Sequence, residues 1–150
     1  MSWYTFLKFL HVVLAITAVG FNASYAIWLA RAAKEPQHEE FALRGVKFLD
    51  DRIANPAYGL LLVTGVSMVL VGDLSFKTLW IALALTLFAI VTLIAALVYT
   101  PTLKRQIEVL QTEGAGSATY QALAKKGNAV GILLAVLVLT IVFLMVTKPT

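Results

Sequence analysis

Cysteine is missing from all 150 residues of this chain. That absence excludes disulfides, zinc–thiolate sites, iron–sulfur clusters, thiol nucleophiles and covalent haem attachment through Cys-x-x-Cys-His. Charge is also scarce. Asp, Glu, Lys and Arg make up 13% of the residues against 60% hydrophobic, and the mean hydropathy is +0.85. So few charges cannot solvate the surface of a soluble domain, so the chain needs a bilayer as its solvent. No long basic run accompanies the formal charge of +4; the positive balance is a topology signal, and no nucleic-acid partner is expected.

Four apolar stretches supply the spans of a single integral membrane domain covering 1–150, at about 4–30, 56–72, 78–99 and 127–147. The first lacks a basic leader region and runs on into Tyr25-Ala-Ile-Trp28, so it reads as a span and not as a signal peptide. Between spans one and two, 31–55 mixes charges with Phe41, Leu43, Val46 and Phe48, the pattern of an amphipathic segment lying at the interface. Asn55-Pro56 then reads as an N-cap followed by proline at the first helical position. Asp73 to Lys77 forms a tight turn, Thr100-Pro101 closes or kinks the third span, and 102–126 is a second amphipathic stretch broken at Glu113-Gly-Ala-Gly-Ser117.

Arg31, Lys34, Arg44, Lys47, Arg52, Lys104, Arg105, Lys125 and Lys126 fall on one side of these spans, and Lys8, Lys77 and Lys148 on the other. The predicted fold is therefore all-α, a four-transmembrane-helix up-down bundle with both termini extracytoplasmic and both amphipathic segments in the cytoplasm. The expected setting is a prokaryotic cell (inner) membrane. The lipid bilayer is the first partner, and a homo-oligomer or a larger membrane complex is the protein assembly to look for.

His11 is the one titratable side chain deep in a predicted span, roughly 10 Å inward of Tyr4 at about 1.5 Å per residue. Lys8 can snorkel, whereas an imidazole at that depth needs a partner inside the bundle. His11, Ala15, Ala18 and Asn22 share one helical face, polar at its ends and small in the middle. Either a planar macrocycle or a close helix neighbour fits over the alanines. Were His11 to bind haem, Met68 and Met145 fall at suitable heights for a second axial ligand, Lys77 is a further candidate, and five-coordinate iron is the remaining option. His38 sits on the opposite side, in a solvated segment. A transporter has little support, because no carboxylate falls within a predicted span.

Lys8-Phe-Leu-His11 in the first span, Asn55-Pro-Ala leading to Leu62-Val-Thr-Gly65, and Leu144-Met-Val-Thr-Lys-Pro149 at the end of the fourth resemble the DUF2269 family of integral membrane proteins, in the wider CopD-like group. That group includes a four-helix, haem-associated protoporphyrinogen oxidase family whose first helix is similar around Lys8, Leu10 and His11. The resemblance implies a b-type haem held by His11 and an electron-transfer or redox role. It does not carry the oxidase activity over: Ala129 stands where the enzyme pattern has Glu, and the stretch around Trp80 to Thr86 lacks its third-helix Lys. The rival expectation is a cofactor-free structural or accessory subunit in which His11 only fixes packing.

Overall fold

The computed structural model describes residues 2–150. They form six α-helices: α1 (Trp3–Ala32), α2 (Pro36–Leu49), α3 (Asn55–Val71), α4 (Leu79–Ile94), α5 (Thr100–Glu113) and α6 (Ala118–Thr147). Serine caps begin both of the longest: the Ser2 hydroxyl accepts from the Thr5 amide, and the Ser117 hydroxyl from that of Tyr120. Gly114, at φ +82°, ends α5 in a conformation that only glycine adopts without strain.

Asn55 is the first residue of α3 but not an N-cap, which corrects the expectation there: Ala54 before it is already helical and no side chain caps the start. A π-helical turn, Asp50–Ala54, joins α2 directly to α3, and a second, Ala95–Tyr99, joins α4 to α5. The Asn55 amide donates to the Asp50 carbonyl and the Thr100 amide to that of Ala95, each five residues back. Both turns end two residues before a proline, Pro56 or Pro101. Proline offers no amide hydrogen, and its ring collides with the carbonyl four residues earlier; a locally wider winding relieves that collision without ending the helix.

Four continuous rods are thus long and apolar enough to cross a membrane: Trp3–Ala32, Pro36–Val71, Leu79–Glu113 and Ala118–Thr147. The amphipathic segments do not lie flat as independent interfacial helices. They continue the spans and pack together. Tyr25, Leu43, Val46, Leu103, Val109 and Tyr120 form a buried core drawn from α1, α2, α5 and α6, much as in a water-soluble bundle. Gln106 Nε2 donates to the Tyr120 hydroxyl, which donates to Glu39, tying α5, α6 and α2 by one polar chain.

Away from this loop-side end the spans associate chiefly as two pairs. In one, Ala18 of α1 meets Ala57 and Leu61 of α3. In the other, Ala84 and Val91 of α4 meet Val138 and Ile141 of α6. Phe88 touches both clusters, and its ring lies 6.3 Å from that of Tyr58. Large side chains such as Ile16, Val63, Leu93 and Phe143 are exposed on the outer faces, the arrangement expected where lipid tails are the solvent.

Candidate functional site

Span α1 turns His11 toward α3. The Nδ1 atom lies 2.8 Å from the Thr64 hydroxyl, and that hydroxyl donates its own hydrogen to the Leu60 carbonyl at 2.8 Å. With the Thr64 hydrogen on Leu60, Oγ1 is free to accept from His11 Nδ1 in the tautomer that carries its proton there and its lone pair on Nε2. Gly65 makes the seat. A Cβ there would stand 3.2 Å from His11 Cε1, so a larger residue would push the ring away.

The rest of the polar-small-small-polar stripe continues this seam. Ala18 is completely buried against Ala57 and Leu61, Ala15 packs at the edge of the same cluster, and Asn22 donates to the Tyr58 hydroxyl. Of the two covers that suit the alanines, the structure shows the helix neighbour, α3. The methionines part company. Met68 lies one turn beyond Thr64 on α3, between the His11 contact and Gly72, which abuts the Tyr4 ring; Met145 packs in the α4–α6 cluster. Lys77 is exposed before α4. His38 is exposed on α2 and pairs with Glu35 at 3.0 Å, as a solvated residue should. Among the described residues no three His, Asp or Glu side chains converge as a metal site.

A second polar cluster, at the two π-turns, gathers Asn55, read from the sequence as an N-cap, with residues that the sequence did not single out. Asp50, the first residue of its π-turn, is only 6% exposed and accepts from Asn55 Nδ2 at 3.3 Å. Burial, and after it the neighbouring Asp51 charge, pushes the Asp50 carboxyl above the ordinary aspartate range; Asn55 and Lys47 counter this in part. Tyr25, Tyr58 and Tyr99 lie within electrostatic reach of it, each from a different helical rod. The Tyr25 hydroxyl is buried with no hydrogen-bond partner among the described residues. Asp50 and Glu39 are thus carboxylates enclosed by the helices, where the sequence placed only solvated loop charges.

Four apolar rods with lipid-facing exteriors, joined by short turns, define a polytopic integral membrane protein. The chain belongs to the DUF2269 family, described as a predicted integral membrane protein, whose family model matches residues 5–149. No curated protein and no solved structure matches it.

Proposed function

We propose that this protein is a b-type haem-binding membrane bundle with an electron-transfer or redox role, in which His11 is the axial ligand through Nε2. The observation that carries this reading is the Thr64 contact. A histidine whose Nδ1–H is fixed by an acceptor presents an oriented, more basic Nε2, the state in which imidazole ligates iron. His11 fits the group; Ala15 and Ala18 do not offer it a flat face, since α3 covers them. Haem b would be held by His11, with Met68, Met145 or Lys77 as candidates for a second ligand. Haem b, when bound, supplies one-electron chemistry. The chain's part is to hold the imidazole's orientation and proton, and to surround it with apolar side chains that keep water away. We place the protein in a prokaryotic inner membrane, termini outside and the α2/α5 end in the cytoplasm, on the bias of nine basic residues against three.

The Ala15/Ala18 seam favours a second reading, a cofactor-free accessory bundle in which His11 secures α1 to α3. One experiment separates them. Purified in mild detergent from cells fed a haem precursor, the protein is expected to show a Soret band and a b-type reduced-minus-oxidised spectrum. His11→Ala is expected to abolish it, and exposed His38→Ala to leave it intact. A folded, helical, colourless wild-type protein would overturn the haem reading in favour of the accessory bundle.

A further inference from the structure

Between the loop-side ends of α1, α2, α5 and α6 lies a cavity of about 240 Å³. Its walls are largely apolar, with Leu43 and Leu103 among them, and the exposed Ala30 of α1 also lines it. Glu39 is the only lining residue that carries a charge, since the remaining lining side chains are apolar, amide or phenolic.

Glu39 is nine-tenths buried, and its ionic partner is missing. The ion pairs among the described residues, His38–Glu35, Arg44–Glu40, Lys47–Asp51 and Arg105–Glu108, all bypass it. Its hydrogen bonding is one-sided. Gln106 donates to Tyr120 and Tyr120 donates to one Glu39 oxygen, so the polar chain ends on the carboxylate and leaves the other oxygen without a protein donor. That second oxygen is not among the fully buried unpartnered atoms, so it is accessible as an open anionic acceptor on an otherwise buried residue. An occupant supplying a positive charge and N–H donors would correct the imbalance, while the apolar walls select for a hydrocarbon body. A cavity of about 150 Å³ already takes a benzene-sized guest, so this one has room for a single ring or short chain bearing an amine.

We propose that this cavity is a binding site for a small organic ammonium ion, with the ammonium on Glu39 and the apolar body against Leu43 and Leu103. The site is separate from His11 and does not depend on haem.

The test uses the full-length protein in lipid nanodiscs at neutral pH, titrated calorimetrically with benzylamine and with benzyl alcohol, its uncharged counterpart. Benzylamine is expected to bind saturably at one site, at least tenfold more tightly than benzyl alcohol. Glu39→Gln keeps the acceptor for Tyr120 and is expected to erase that preference. Ala30→Trp, at an exposed lining position, is expected to crowd the cavity and remove binding without disturbing the core. Equal affinity for the two probes, an affinity unmoved by Glu39→Gln, or no saturable binding would each overturn the proposal. The haem spectrum is expected to be the same in Glu39→Gln as in wild type, so failure here and failure at His11 are told apart.

Discussion

Individual polar side chains in this protein act through what holds them. Thr64 is the clearest case, because its hydroxyl both caps its own helix's carbonyl and fixes His11. Thr64→Val preserves shape and removes the anchor, so haem affinity is expected to fall about 10–100-fold in a haem-transfer titration; unchanged affinity would deny Thr64 that role. His11 was legible from its depth alone, but Thr64 was not, since a hydroxyl in a span is ordinary until a partner is seen across the seam. Asp50 escaped for another reason: it sits among Lys47, Asp51 and Arg52, which look like solvated charge. With its carboxyl raised, the folded protein binds that proton more tightly than the unfolded chain does. Stability is therefore expected to fall as pH rises from the ordinary aspartate value of about 3.9 through the raised folded value. Asp50→Asn should flatten that part of the profile in thermal melts across this range. Superimposable wild-type and mutant profiles would show that Asp50 does not titrate differently on folding.

Helices and their seams explain why some boundaries were readable and others were not. The span cores and the two Ser-capped 30-residue helices follow from hydropathy and turn chemistry. The join at Asn55-Pro56 does not, because proline at the start of a helix and proline accommodated by a π-turn look alike in sequence. The structure resolves the ambiguity through the spacing of buried positions, two of which, Glu39 and Asp50, look solvated in the sequence. Glu39, Leu43, Val46, Asp50, Ala54, Ala57, Leu61 and Thr64 keep one stripe across the supposed break, with consecutive steps of four at Asp50 and Ala54. In a straight α-helix that doubled step would turn the stripe aside; the wider π-turn absorbs it. The α1–α3 seam, for its part, has no room at Ala18. Ala18→Leu is expected to cost about 1–3 kcal/mol in detergent unfolding, whereas Ala23→Leu, on an exposed face of the same helix, should be near neutral. Equal effects at the two positions would mean that α1 does not pack on α3 by this face.

For the molecule as a whole, the orientation is open to direct measurement. Cysteines introduced at Gln37 or Gly116 are expected to be shielded from an impermeant thiol reagent in intact cells, and those at Ser2 or Ser75 to be labelled; the reverse pattern would invert the topology. Rod length has a mechanical consequence. Pro36–Val71 is 36 residues long, about 54 Å at 1.5 Å per residue, whereas the hydrocarbon layer is about 30 Å thick. The rod is therefore roughly 24 Å longer than that layer is thick, an excess that α2 would carry if α3 spans it. Because α2 and α5 prolong the spans as arms instead of floating beside them, any lean that the spans adopt in a thinner bilayer is carried to their tips. A tilt of about 20° would sweep that end sideways by about 8 Å, so a rigid bundle of this length would carry a change in bilayer thickness to its loop-side end as displacement.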